Sequence, residues 1–357
     1  MFKKKMNSIR LGKRVIDDNS DPYIIAEIGV NHECSILKAK QLILKAKQAG
    51  ADAAKFQSYK AELITSKNSP SYWDTSKEKT KNQFNLFKKY DLFNETDYIK
   101  LYKYCKSLKI DFASTPFDHD AVDMLDPLVP YFKISSSDIT NYPLLEKIAS
   151  KKKPVLLSTG ASSLNEIQSA IKLLKFYKCK EIVVMHCILS YPAKNENANL
   201  GMITDLKAKF PQNLIGYSDH TLPDKEMTNM CMSYVLGAKI LEKHFTLDKK
   251  KKGNDHYHSM DYQDLKNLRK RVSKAKEIIG QKEKKCIKIE TNSRKFARRS
   301  LVIKCDIIKN TKIKKKHLIC KRPGTGISPI DLKKILGKKV KRNLKEDHIL
   351  KWTDIQK

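Results

Sequence analysis

The 357-residue chain is expected to be an α/β protein: a (β/α)₈ barrel followed by a small β-rich domain. Three observations carry that expectation. Apolar runs of strand length alternate eight times with amphipathic stretches of helical period between Tyr23 and Glu242. Each run begins apolar and ends in polar, chemically varied residues, as barrel strands do at the face where sites form. After Gly280 the alternation stops, and a charged stretch leads into short strand-like pieces.

The first strand is predicted at Tyr23–Ile28, followed by a helix over Ser35–Ala49 that Gly50 ends. The second strand is Ala53–Gln57. Residues 58–92, rich in Lys, Asn, Ser and Tyr, read as a long irregular segment of functional length. A helix over Glu95–Leu108 leads to strand three, Asp111–Ser114. A helix at His119–Leu125 precedes strand four, Tyr131–Ile134, and one at Tyr142–Ser150 precedes strand five, Pro154–Leu157. Helix Ser163–Phe176 and strand six, Ile182–Met185, follow. Helix Met202–Phe210 then leads to strand seven, Leu214–Tyr217, and helix Asp224–Leu236 to strand eight, Lys239–Glu242. A helix over Tyr262–Ile279 would complete the outer ring. The expected division is a catalytic domain over 1–281, a linker over 282–291 and a β-rich domain over 292–357.

Composition narrows the function. No run of 18 apolar residues occurs, and the basic N-terminus lacks the apolar core of a signal peptide. No membrane span is therefore expected, and a cytoplasmic location is. The eight cysteines form no CxxC pair and read as reduced, mostly buried thiols. A formal charge of +33 would suit nucleic acid, but only nine of the 72 basic residues are arginine. The lysines are spread over helix faces and loops, so no nucleic-acid partner is expected, while the field favours anionic substrates.

The chemistry sits at the strand ends. Strands seven and eight run into His220 and His244; as parallel neighbours they lie about 5 Å apart, so both imidazoles could share one divalent metal. Glu27 ends strand one as an outer carboxylate, with Asn31 and His32 beyond. Lys55 and Lys133 interrupt apolar strands, which is costly unless their charges are matched. With Thr115, Ser136 and Ser158 beside them they describe a site for a small oxygen-rich anion. Each feature alone has a plain structural reading: a salt bridge, a cap, a buried histidine. Their conjunction at one face does not.

These residues lie in segments that resemble the sialic acid synthase family: IIAEIGVNH (Ile24–His32), AAKFQ (Ala53–Gln57), STPF (Ser114–Phe117), KISSSDITN (Lys133–Asn141), LLSTG (Leu156–Gly160), GYSDHT (Gly216–Thr221), LEKHFTLD (Leu241–Asp248) and KRPGTG (Lys321–Gly326). They follow one another in family order along nearly the whole chain. The resemblance implies a TIM barrel with an antifreeze-like (SAF, β-clip) tail domain. It further implies condensation of phosphoenolpyruvate with an open-chain N-acylmannosamine-type sugar, in a domain-swapped homodimer. Lys55, Thr115, Lys133, Ser136, Ser158 and Ser218 would hold phosphoenolpyruvate. His220 and His244 would bind Mn²⁺ or Mg²⁺ to polarise the aldehyde. Gln57, Asp138, Tyr191 and Asp255 would bind the sugar, with Arg322 reaching its N-acyl group in the partner subunit. Glu27 would direct water onto C2 before phosphate leaves by C–O cleavage.

Departures from the family pattern cluster on the sugar side: Glu33-Cys34 after Asn31-His32, Asp138 where many bacterial relatives carry Glu, Leu189 before Tyr191, and Arg298 in the tail domain. The leading expectation is N-acetylneuraminate synthesis from N-acetylmannosamine. The alternatives are an N,N'-diacetyllegionaminate synthase using 2,4-diacetamido-2,4,6-trideoxymannose, and the variant using the 6-phosphate. Keto-deoxy-octulosonate or deoxy-heptulosonate synthesis is a more distant rival, which the tail domain and the GYSDHT motif disfavour. A non-catalytic polyanion- or carbohydrate-binding module is the rival of another class; it predicts salt-dependent binding and indifference to His220→Ala.

Overall fold

The computed structural model describes residues 7–356 apart from 74, 77, 254 and 282. Residues 1–6 of the basic N-terminal stretch, and Lys282 of the expected linker, lie outside the described residues. The chain divides into two compact units, Met1–Gly280 and Gln281–Lys357.

The first unit opens with an antiparallel hairpin of β1 (Ser8–Leu11) and β2 (Arg14–Asp17), which the sequence reading did not anticipate. The barrel strands follow: β3 (Tyr23–Gly29), β4 (Ala53–Ser58), β5 (Asp111–Pro116), β6 (Phe132–Ile134), β7 (Val155–Ser158), β8 (Ile182–Cys187), β9 (Leu214–Asp219) and β10 (Ile240–His244). They form one parallel sheet in the order β5-β4-β3-β10-β9-β8-β7-β6, and the end strands β5 and β6 pack side by side, so the sheet curls into a barrel. Most strands continue one or two residues past their expected C-terminal ends. Most of those last residues are polar or small, so hydropathy does not mark them, yet apart from a shift at Gly29 they keep the ladder register, as in Gln57 opposite Thr115 and His244 opposite Glu27.

The helices α1 (Ile36–Ala49), α4 (Glu95–Leu108), α5 (His119–Leu125), α6 (Tyr142–Ser150), α7 (Leu164–Phe176), α8 (Gly201–Lys209), α9 (Thr228–Val235) and α10 (Tyr262–Ile279) accompany the strands. Two short helices, α2 (Ala61–Ile64) and α3 (Gln83–Lys88), lie in the segment expected to be irregular. Helix starts follow side-chain capping. Asn94 with Asp97, Ser163 with Glu166 and Asp261 with Asp264 each close a reciprocal capping box. Helix α9 begins later than expected because the Asp224 carboxylate accepts from the Glu226 and Thr228 amides and holds a turn there.

Strand side chains alternate between two apolar clusters. Ile24, Ala26, Phe56, Phe112, Phe132, Leu157, Val184 and Leu241 face the helices. Tyr23, Ile25, Ala53, Ala113, Tyr131, Leu156, Val183, Leu214 and Ile240 fill the barrel, joined by Ile9, Leu11 and Ile16 of the hairpin. The hairpin thus packs onto the same core as the barrel interior. The next inward positions along the same strands are Glu27, Lys55, Thr115, Lys133, Ser158, Cys187, Ser218 and Glu242. A period of two therefore carries the lining from an apolar lower layer to a polar upper one.

In the second unit α11 (Thr291–Ala297) precedes β11 (Ser300–Ile303), which pairs antiparallel with β12 (Leu318–Lys321), and α12 (Leu332–Ile335) follows. Its core is Leu301, Ile303, Ile307, Ile313, Ile327, Ile335, Val340, Leu344, Leu350 and Ile355. Asp354 is its buried polar anchor. It accepts from the Arg342 guanidinium at 2.8 Å, the His348 imidazole at 2.9 Å and the Lys351 amide at 2.9 Å. Burial opposes ionisation, but these donors outweigh it and hold the carboxyl below its usual range. A depressed folded-state pKa stabilises above the unfolded carboxylate value, and that stabilisation is lost as pH falls through the folded value. Asp354→Ala is expected to cost about 2 kcal/mol, because its partners reach solvent. Hydrogen exchange of peptides from residues 298–356 in the full chain should show faster opening, with the difference from wild type shrinking below about pH 4. Unchanged exchange would remove the anchor role.

Candidate active site

The C-terminal ends of the strands open into a cavity of about 410 Å³. It is lined by Glu27, Lys55, Gln57, Thr115, Lys133, Ser136, Asp138, Ser158, Tyr191, Ser218, His220, His244 and Asp255. Every candidate site residue of the barrel is thus brought to one mouth. Arg322 belongs to the second unit, where it is exposed just after β12.

The floor is a buried charge network. Lys55 Nζ lies 2.5 Å from Glu27 Oε2, donates to Thr115 Oγ1 at 3.0 Å, and stands 3.8 Å from Glu242 Oε2. Lys133 Nζ donates to Ser158 Oγ at 2.6 Å and lies 3.4 Å from Glu242 Oε1. Ser218 Oγ donates to that same oxygen at 2.9 Å. Glu242 therefore sits between both lysines. Burial works against its charge, but the Lys133 and Lys55 ammonium groups outweigh burial and hold its carboxyl down at about 2. Burial likewise works against the charge on Lys55, and Glu242 and Glu27 more than restore it. Glu27 goes the other way: burial dominates and raises its pKa despite Lys55. Two carboxylates in one network are thus driven apart, the arrangement that separates an acid–base group from a charged partner. Gln57 Nε2 donates to Glu27 Oε1 at 3.2 Å and orients it.

Two glycines let the backbone pass close to this floor. Gly29 has φ +54°, and a Cβ there would come within 3.2 Å of Asp255 Oδ2 and 3.3 Å of Gln57 Nε2. Gly160 donates its amide to Ser136 Oγ at 2.9 Å, and a Cβ there would press to 2.8 Å of that oxygen. Asp138 is half-buried and bonded by Ser137 and Asn141; burial raises its carboxyl.

The imidazoles lie above the lysines. The His220 and His244 ring centres are 5.7 Å apart, with the Tyr191 ring 4.3 Å from His220. His220 Nδ1 faces the Ile188 carbonyl at 2.8 Å, which leaves its Nε2 for a ligand. His244 Nδ1 stands 3.3 Å from Asp255 Oδ2. Burial disfavours the imidazolium of His244, but Asp255 outweighs it and raises the pKa; Asp255 in turn is pulled well below its usual range against burial by His244. The tight set of potential ligands differs from the expected histidine pair. His244, Asp255 and His258 each offer an atom within 4.8 Å of the others. His220 stands outside that set, and Asp255, read from the sequence as a sugar ligand, faces His244. Buried imidazole nitrogens without hydrogen bonds beside a carboxylate fit a divalent cation.

Other polar residues near the rim serve the scaffold. Asn31 Nδ2 donates to the Phe245 carbonyl and to Ser259 Oγ, both at 3.0 Å. His32 stacks on Phe93 at 4.3 Å, and burial pushes its pKa down to about 4. Sequence reasoning assigned no role to Glu242 or His258. For Glu242 the signal was present: a carboxylate at an inward position, one pleat before His244. For His258 the chain offers only a histidine in a loop.

The arrangement matches known proteins along nearly the whole chain. Residues 42–284 match the NeuB family, and residues 298–356 match the SAF domain. The chain belongs to the NeuB family of sialic acid synthases. Among its relatives are an uncharacterized protein of Methanocaldococcus jannaschii, 41% identical over 98% of this chain and 99% of that one, and the N,N'-diacetyllegionaminic acid synthase of Legionella pneumophila, 38% identical over 94% of each. The crystal structure of the N-acetylneuraminic acid (sialic acid) synthetase of Leptospira borgpetersenii superposes with a TM-score of 0.71 at 32% identity, over 81% of this chain and 95% of that one. Among the described residues no helix is long and apolar enough to cross a membrane.

Proposed function

We propose that the protein condenses phosphoenolpyruvate with an open-chain 2-acylamino sugar to give a nine-carbon 2-keto acid and phosphate. The observation that carries this is the convergence of Lys55 and Lys133 on one floor, ringed by Thr115, Ser158 and Ser218, directly below the imidazoles. Lys55, Thr115, Lys133, Ser136, Ser158 and Ser218 bind the phosphate and carboxylate, in a water-poor mouth where such contacts are strong. His220 and His244 would hold the divalent cation, Mn²⁺ or Mg²⁺. When bound, that ion supplies Lewis acidity at the aldehyde oxygen. Gln57, Asp138 and Tyr191 orient the sugar so that C3 of phosphoenolpyruvate meets the carbonyl carbon, while Asp255 faces His244 on the cation side. Glu27, held by Lys55 and Gln57, takes a proton from the water that adds to C2, and phosphate then leaves with its bridging oxygen. Arg322 would act on the sugar N-acyl group of a second copy of the chain in a domain-swapped homodimer.

The apolar part of the cavity lining supports a different order of the expected sugars. Leu63, Ile64, Phe87, Phe117 and Leu189 form it, and the only ammonium groups among the described lining residues are Lys55 and Lys133, both engaged at the floor. These apolar residues suit the C6 methyl and the two N-acetyl methyls of 2,4-diacetamido-2,4,6-trideoxymannose, and the described lining leaves no free ammonium group for a 6-phosphate. We therefore place this sugar ahead of N-acetylmannosamine, and both ahead of the 6-phosphate. Phosphate release and product mass should be measured with Mn²⁺, phosphoenolpyruvate and each of the three sugars. The diacetamido sugar is expected to give the highest kcat/KM, about tenfold or more over the 6-phosphate. Preference for the 6-phosphate would reverse the specificity reading, and no turnover with any of them would end the proposal.

A further inference from the structure

His258 lies in the loop between β10 and α10 and is fully buried, at 0% exposure. Neither of its ring nitrogens has a hydrogen-bond partner. A buried polar group left in that state is destabilising, so such an arrangement persists where something compensates it. Its surroundings say what. The His244 ring is 4.8 Å away and the Tyr191 ring 5.7 Å away. One nitrogen of His258, one of His244 and one oxygen of Asp255 lie mutually within 4.8 Å. His244 Nδ1 is also without a hydrogen bond, although Asp255 Oδ2 is 3.3 Å from it. An imidazole with no hydrogen bond, a second imidazole paired only with a carboxylate, and that carboxylate thus offer two nitrogens and an oxygen within reach of one cation.

We infer that His258 is a direct ligand of the active-site divalent cation, with His244 and Asp255 beside it and His220 on the open, cavity side. This rests on the reading of the imidazoles as a metal site and deepens it by changing the ligand count. It also changes the metal preference. A third imidazole favours Mn²⁺ and its later first-row neighbours over Mg²⁺, which binds almost wholly through oxygen.

The test uses the metal-free full-length chain and Mn²⁺ alone. Titration calorimetry should give one tight site. Electron spin-echo modulation of the Mn²⁺-loaded wild type should count three imidazoles, falling to two in His258→Ala, whose Mn²⁺ affinity is expected to drop at least about tenfold. Mg²⁺ should compete poorly with Mn²⁺ in wild type and better in the variant. The imidazole count on wild type needs no variant, so a misfolded His258→Ala protein would not leave the inference open. A wild-type count of two, with His220→Ala and His244→Ala abolishing Mn²⁺ binding, would overturn the role of His258 alone. Mn²⁺ binding indifferent to His220→Ala, His244→Ala and His258→Ala together would overturn the metal-site reading beneath it as well.

Discussion

Glu242→Ala is expected to destabilise the barrel by about 3–5 kcal/mol and to abolish turnover. The residue is 4% exposed, and its carboxylate is the shared counter-charge of Lys55 at 3.8 Å and Lys133 at 3.4 Å. Removing it leaves two buried ammonium groups with Glu27, and more distantly Asp255, to offset them, and it strips Ser218 of its acceptor. The pH dependence follows from the two shifted groups. Glu242, held at about 2, contributes stability above the unfolded Glu value near 4.3, and that contribution is lost as pH falls through about 2. Lys55, raised above its ordinary value, contributes fully below about 10.4 and loses that contribution as pH rises through its folded value. The loss in Glu242→Ala should therefore be nearly constant from about pH 5 to 10 and shrink toward pH 2. Glu242→Gln keeps an acceptor for Ser218 but not the charge, so it should fall between wild type and Ala. Urea unfolding across pH measures both, and an Ala variant as stable as wild type at pH 7 would refute the shared counter-charge.

Lys133→Ala and His220→Ala are each expected to lower kcat/KM by at least roughly 100-fold, about 2.7 kcal/mol of transition-state stabilisation. Their kinetic signatures should differ. Lys133 donates to Ser158 on the anion floor, so its loss should raise KM for phosphoenolpyruvate as well as lower kcat. His220 is braced by the Ile188 carbonyl and lies beside Tyr191, and in the proposed reaction it acts on the aldehyde side, so its loss should fall mainly on kcat and on the Mn²⁺ requirement. A polyanion-binding module would show neither effect. Rates near wild type in both variants would favour that rival.

Much of this was legible in the sequence because a barrel converts order along the chain into position around a ring. A strand that alternates with period two and ends in polar residues declares its inward side chains and its functional face. That is why Glu27, Lys55, Thr115, Lys133, Ser158 and His244 could be placed at one rim from local pattern alone, and why the helices from Glu95, His119, Tyr142 and Tyr262 began where the sequence predicted. The short helices within 58–92 and the hairpin Ser8–Asp17 were not legible. Their apolar residues, such as Ile9, Leu11 and Ile16, are too few to show a period, and they are buried only because the barrel core lies beneath them.

What the residues determined by themselves was the fold, the face and the chemical class of the site. What only the tertiary structure decided was which charges and ligands meet. Glu242 becomes the counter-ion of both Lys55 and Lys133 because ring closure brings strands distant in sequence to one layer. His258 reaches His244 and Asp255 because the loop after β10 folds back over the mouth, where the Met260 amide donates to the His244 carbonyl. Pairings of that kind depend on distances between elements, and distances between elements are set by packing of the whole core rather than by any local pattern.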